Sequence, residues 1–178
     1  LVLKSKKVTF FQLRLKKGNI KKKILIAKRI LKICKKNNVK LIINDNPYLA
    51  KKVNADGCHL GQNDMDIFNA KKILKNKIIG ITCHNSIKLV KIALLNRASY
   101  VAIGAFFRTS TKKVTFKANV KILRKIKLSF KTPVVAIGGI NQKNYKKLLL
   151  NKADFLAISS YIWNNKNLKP NEAINYLK

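Results

Sequence analysis

Short runs rich in Val, Ile and Phe alternate along this chain with longer stretches in which apolar residues recur every three or four positions. The runs fall at residues 8–13, 40–43, 57–60, 78–81, 100–103, 134–137 and 155–158, and each predicts a β-strand. Between them the period becomes helical. Ile24, Ala27, Leu31 and Cys34 share one face, as do Ile87, Val90 and Leu94; Val120, Leu123 and Ile126; and Tyr145, Leu148 and Leu149. Pro47, just after Asn44-Asp45-Asn46, stands where the first turn of a helix accepts proline.

Seven strand–helix units with continuously apolar strands predict a parallel sheet covered on both faces. Their even spacing favours a closed barrel over an open doubly wound sheet. No GxGxxG or GxxxxGK[ST] follows the first strand, which argues against dinucleotide-binding and P-loop folds. An eight-unit (β/α) barrel takes about 250 residues, with compact forms near 200. The fold class expected is therefore α/β, a TIM (β/α)8 barrel lacking its first strand and most of its first helix. Leu1–Lys7 would be the tail of that helix, and residues 1–178 would form one domain.

In such barrels the chemistry sits at the carboxyl ends of the strands, where the strand–helix loops converge. Polar residues gather there, strand after strand. The loops deliver Gln12 to Lys16, Asn44-Asp45, His59 to Asp64, Thr82 to His84, Gly104 to Lys112, Gly138-Gly139 and Ser159-Ser160.

Charge then sharpens the picture. The formal net charge is +34, yet the lysines are spread along the whole chain, and no segment alternates aromatics with base-reading side chains. Lys, Asn and Ile are enriched together, as in an A/T-rich genome, so the charge reads as compositional bias and no nucleic-acid partner is expected. Only six acids exist: Asp45, Asp56, Asp64, Asp66, Asp154 and Glu172. Asp45 and Asp64 follow neighbouring strands, and two carboxylates in oxygen-rich company suit Mg²⁺, which keeps water and substrate phosphate as further ligands. The competing reading for each is helix capping. Capping accounts for Asp66. Asp56 and Asp154 each precede a strand and belong to the opposite rim, and Glu172 lies in the terminal helix.

Gln12, Arg14 and Lys16 alternate, so on one strand they would point the same way. With Lys112 they would make a cationic cradle for a diphosphate. Gly138-Gly139 and Ser159-Ser160 follow the last two strands, a frequent phosphate-binding position in these barrels. His59 reads as a hydrogen-bonded packing residue. His84 stays open between packing and chemistry, and no HxH or HExxH spacing supports zinc. Cys34, Cys58 and Cys83 lack metal-ligand spacing and read as reduced packing residues. With no signal-peptide pattern and no apolar run near the roughly 20 residues of a membrane helix, a cytoplasmic protein without a membrane partner is expected.

The stretches FQLRLK, IINDNPYLA, ADGCHLGQND, IIGITCHN, ASYVAIGAFFRTSTK, VVAIGGI and ADFLAISS, in that order, resemble thiamine phosphate synthase from about Val8 to Ile162. The resemblance implies a transferase of thiamine biosynthesis. It would join a hydroxymethylpyrimidine diphosphate to a thiazole phosphate and release pyrophosphate, through departure of pyrophosphate and capture of the pyrimidine-stabilised cation by the thiazole nitrogen. Carried over, Gln12, Arg14, Lys16 and Asn44 would hold the pyrimidine diphosphate, Asp45 and Asp64 the Mg²⁺, and Thr82 and Lys112 the pyrophosphate. Thr109, Ser110, Thr111, Gly139, Ser159 and Ser160 would bind the thiazole phosphate. The catalytic charges would be Arg14, Lys16 and Lys112. Leu15, Ala105, Arg108 and Phe155 depart from the family pattern. The rival readings are a metal-independent thiazole tautomerase of the same superfamily, a basic nucleic-acid-binding barrel, and an inactive fragment.

Overall fold

In a computed structural model, which describes residues 1–109 and 116–177, the chain is α/β, with seven strands whose assigned pairings are all parallel. It clusters into two compact units, residues 3–81 and residues 82–178, the latter joined by Leu1 and Val2. Each predicted strand is present.

The first unit follows a short 3-10 turn at Val2–Ser5. It runs β1 (Phe10–Leu13), α1 (Ile20–Lys36), β2 (Lys40–Asn44), α2 (Pro47–Val53), β3 (Gly57–Leu60), α3 (Ile67–Leu74) and into β4 (Ile78–His84). Every helix is opened by a side chain rather than left with bare N–H groups. Asn19 accepts from Lys22 N–H, Asn46 from Leu49 N–H and Asp66 from Asn69 N–H. Pro47 occupies the first turn of α2, as its position predicted. Strands pair in order, with Gln12 opposite Ile42 and Asn44 opposite His59. β3 is buried along its whole length, which is why its sequence shows no polar alternation. Leu41, Ile42, Ile43, Leu60 and Ile79 fill the core against Ala27, Leu31 and Cys34 of α1.

The second unit takes up β4 at Thr82 and continues with α4 (Ile87–Leu95), β5 (Tyr100–Ile103), α5 (Lys121–Ser129), β6 (Val134–Ile137), α6 (Tyr145–Leu150), β7 (Phe155–Ala157), α7 (Ser160–Trp163) and α8 (Pro170–Asn175). Val90, Val101, Ile103, Leu123, Ile126, Val134 and Leu148 are its largest fully buried side chains. Asp154 lies before β7, at the amino end of the strands, and its carboxylate accepts the Val134 N–H that opens β6, at 2.7 Å. Asp56 does the same in the first unit, taking the Leu41 N–H at the start of β2 at 2.8 Å. Both belong to the rim opposite the predicted site. Glu172 completes the capping box of α8 by accepting the Lys169 N–H at 2.9 Å.

Two sequence expectations need correction. β1 ends at Leu13, so Arg14 and Lys16 lie in the loop beyond it, and strand alternation does not align them with Gln12. β4 runs to His84, three residues past its predicted end, so Thr82, Cys83 and His84 are strand residues. The extension is held by the Gly104 N–H, which donates to His84 O at 3.0 Å. No described helix is long and apolar enough to cross a membrane.

Candidate functional site

The predicted site residues fall into two clusters, one in each unit. The first forms where β1, β2 and β3 end. β2 finishes at Asn44, and Asp45 then takes a left-handed conformation (φ +67°) that a small Asx side chain tolerates. Its N–H donates to His59 O at 2.8 Å, pinning the turn to the end of β3. α2 is capped by Asn46 and α3 by Asp66, so neither Asp45 nor Asp64 caps a helix. The competing reading of this pair is thereby removed.

A continuous polar chain joins the strand ends. Gln12 Nε2 donates to Asn44 Oδ1, and the Asn44 amide hydrogen-bonds the Asp45 carboxylate. Asp45 shares a hydrogen bond with Asp64, whose Oδ2 accepts the Gly61 N–H at 2.7 Å. Arg14 Nε stands 3.9 Å from Asp45 Oδ2, a long ion pair between half-exposed groups. Burial pushes the Asp45 carboxyl above its ordinary range, and the hydrogen bond and negative charge of Asp64 push it further. Arg14 and Asn44 pull it down without cancelling the rise. Two carboxyl groups this close repel once both ionise, which is the electrostatic condition a divalent cation relieves.

Arg14, Lys16, Asn44 and Asp45 line a cavity of about 270 Å³, together with Lys23 from the first turn of α1. Lys23 was not among the predicted residues, because one lysine in a chain with forty Lys and Arg carries no signal of its own. Nearby His59 is buried. Desolvation lowers its pKa to about 4 against the opposing pull of Asp64, so it is a neutral packing histidine at neutral pH. The three thiols are equally inert. Burial pushes Cys34 up to about 11 and Cys58 and Cys83 up to about 12. Among the described residues no group of three or more His, Cys, Asp or Glu could hold a metal. Any cation here would rest on the two carboxylates and on oxygens from elsewhere, the habit of Mg²⁺.

The second cluster belongs to the loops after β5, β6 and β7. Thr109, Gly139 and Ser160 line a cavity of about 300 Å³ with Arg108, Asn141 and Tyr161. Gly139 has φ +64°, and a Cβ there would stand 2.2 Å from Arg108 O. Only glycine lets the loop after β6 approach the loop after β5 this closely. Ser159 precedes the single turn of α7, and its carbonyl accepts the Ile162 and Trp163 N–H groups at 2.9 Å. Thr82 lies on β4, half-buried, and is not among the residues lining this cavity. His84, at the end of the same strand with φ +51°, has its ring centroid 4.6 Å from that of Phe116, the planes tilted by 33°. Ser110, Thr111 and Lys112 lie outside the described residues.

The chain is similar to known proteins along most of its length. A family model described as thiamine monophosphate synthase matches residues 2–162. The chain is 63 % identical over 178 residues to the thiamine-phosphate synthase of Pelagibacter ubique, covering all of this chain and 86 % of that protein. It is 41 % identical over 163 residues to that of Saccharophagus degradans, covering 91 % and 75 %. Among solved structures, a thiamine phosphate pyrophosphorylase from Pyrococcus furiosus superposes with a TM-score of 0.88 at 31 % identity, covering 99 % of this chain and 83 % of the other. A 3-hexulose-6-phosphate synthase superposes at 0.73 with 16 % identity, a likeness of fold alone.

Proposed function

Since the chain belongs to the thiamine monophosphate synthase family, a family of transferases in thiamine biosynthesis, we propose that its two clusters divide the two substrates of that reaction between them. The pyrimidine diphosphate goes to the cavity of Arg14, Lys16, Asn44 and Asp45, and the thiazole phosphate to that of Thr109, Gly139 and Ser160. The observation that carries the assignment is the Asp45–Asp64 pair, hydrogen-bonded together, capping no helix, and set beside the Arg14 and Lys16 cavity.

The residues fit a divalent cation. Asp45 and Asp64 would hold it, with substrate phosphate and water completing the oxygen ligands. When bound, Mg²⁺ supplies charge neutralisation for a departing diphosphate. The chain's own work is positioning and charge. Arg14 presents a planar fork of N–H donors suited to phosphoryl oxygens, and Lys16 a mobile point charge. Gln12 orients Asn44, which in turn holds Asp45. The C–O bond to the diphosphate breaks, the electron pair leaves with it, and a thiazole nitrogen lone pair forms the new C–N bond. Neither step needs a general base, which agrees with a neutral, buried His59 that lines neither cavity. Lys112, together with Ser110 and Thr111, is assigned by the family motif alone and would add charge and hydroxyls toward the phosphates. Thr82 and Ser159 are assigned in the same way.

The seven strand–helix units are read further as seven of the eight of a TIM (β/α)8 barrel, a reading the Pyrococcus furiosus likeness supports. The function is tested by supplying both substrates and following pyrophosphate and thiamine phosphate. Mg²⁺-dependent release of one pyrophosphate per thiamine phosphate is expected. Thiazole tautomer conversion that survives chelation, with no pyrophosphate released, would assign the chain to tautomerase chemistry instead.

A further inference from the structure

α1 opens in a way that electrostatics alone disfavours. Its first turn carries Lys21, Lys22 and Lys23 and no acidic residue, so three ammonium groups crowd the positive end of a 17-residue helix dipole. Isolated helices favour the reverse, with acids first and bases last. In so basic a chain two of these lysines need no explanation, since Lys21 and Lys22 are exposed and lie outside the first cavity. Lys23 differs on both counts. It is half-buried, and it lines the cavity that also takes Arg14 and Lys16.

We propose that Lys23 is a third cationic contact for the diphosphate of the pyrimidine substrate, reaching the first cavity from the helix side while Arg14 and Lys16 approach from the loop after β1. This inference rests on the substrate assignment made above and adds a residue to it. Three cations line it against a single carboxylate, that of Asp45. The cavity is therefore suited to an anion of high charge and over-supplied for a neutral ligand. The repulsion among Lys23, Arg14 and the helix end is relieved when that anion enters, so Lys23 contributes chiefly to the bound state. Lys23 is a side chain of a regular, capped helix, and its backbone is fixed by the N–H donating to Asn19 O at 3.1 Å. Removal of its ammonium therefore leaves the helix intact.

The experiment measures calorimetric binding of inorganic pyrophosphate with Mg²⁺ to the full chain and to Lys23→Ala, Lys23→Arg, Lys21→Ala and Lys22→Ala. Alongside it, KM for each substrate is determined. Lys23→Ala is expected to weaken pyrophosphate binding about tenfold and to raise KM for the pyrimidine diphosphate by a similar factor. KM for the thiazole phosphate should stay unchanged. Lys23→Arg restores most of the binding, and Lys21→Ala and Lys22→Ala match the parent. Unchanged pyrophosphate affinity in Lys23→Ala, an equal loss in the Lys21 or Lys22 variant, or no pyrophosphate binding by the parent overturns the proposal. A parent that binds pyrophosphate through Lys23 yet forms no thiamine phosphate would overturn the proposed function and leave the Lys23 contact standing.

Discussion

The Asp64 carboxylate accepts the Gly61 N–H at 2.7 Å while sharing a hydrogen bond with Asp45, so a backbone donor fixes the acid that faces its neighbour. A pair held this way is worse for the fold alone than an acid–amide pair would be, because burial and the neighbouring Asp64 disfavour the ionised Asp45 carboxylate. Asp45→Asn and Asp64→Asn should therefore keep or slightly raise thermal stability while lowering turnover about 10²-fold or more, as expected for loss of a charge-stabilising group. The Mg²⁺ concentration giving half-maximal pyrophosphate release should rise in both. Full turnover in either variant under low Mg²⁺ would remove the pair from the reaction.

Arg14 is the next contributor, and its geometry separates charge from shape. Its 3.9 Å approach to Asp45 is too long and too exposed to matter for stability. Arg14→Lys keeps the charge but loses the planar fork. It should cut kcat/KM for the pyrimidine diphosphate about tenfold, and Arg14→Ala should cut it further, with melting temperatures within a few degrees of the parent. Equal kinetics for the lysine variant and the parent would reduce Arg14 to a bulk positive charge.

Much of this was legible in the sequence, and the exceptions have physical causes. The strands at Gly57–Leu60, Tyr100–Ile103 and Val134–Ile137 were bounded correctly because Gly, Pro or Asp punctuates their ends. β4 ran past its expected end because a tertiary bond, Gly104 N–H to His84 O, holds its last residues, and local pattern contains no trace of that partner. Asp45 and Asp64 stood out because acids are scarce in this chain, whereas Lys23 was invisible because lysines are not. That Asn46 and Asp66, rather than Asp45 and Asp64, cap α2 and α3 is decided by the folded backbone, since all four are good N-cap residues one or two positions apart.

His59 gives the fold a pH dependence of definite sign. Its folded pKa of about 4 lies below the unfolded value of 6.5, so the unfolded chain binds the proton first. Its contribution is fully present above about pH 6.5 and is lost progressively as pH falls toward 4, to a total of roughly 3 kcal/mol. The chain has only six acids and two histidines, so an acid-side change is readily traced to one of them. Asp45 acts in the opposite sense, its raised carboxyl favouring the fold on the acid side. Urea unfolding between pH 7.5 and 4 should therefore show a steep acid loss that shrinks in His59→Gln. A slope unchanged by that substitution would show His59 to be no more buried than in the unfolded chain.

Asp154 offers a control from the opposite rim. Its carboxylate accepts the Val134 N–H at 2.7 Å and pairs with Lys127 Nζ at 3.0 Å, tying β7 to β6 and α5 at the amino end of the strands. Asp154→Ala should lower unfolding free energy by about 1–3 kcal/mol, through the unpaired strand N–H, without changing KM for either substrate at a temperature where the variant is folded. A selective rise in one KM would mean that this rim communicates with the site.

Gly139 provides the corresponding test in the second cluster. Its φ of +64° is reached readily only by glycine, and an added Cβ would meet Arg108 O at 2.2 Å, a contact that backbone must yield to. Gly139→Ala therefore forces the loop after β6 away from the loop carrying Arg108 and Thr109, which share the second cavity. The displacement should raise KM for the thiazole phosphate by tenfold or more and leave pyrophosphate binding at the first cavity within twofold of the parent, order-of-magnitude expectations from losing a charge-assisted contact. If both substrates suffered equally the defect would be one of folding, and amide exchange would then report it across β6 and β7. A thiazole phosphate KM left unmoved by so severe a backbone clash would mean that the ligand binds elsewhere, and the division of substrates between the two clusters would fall with it.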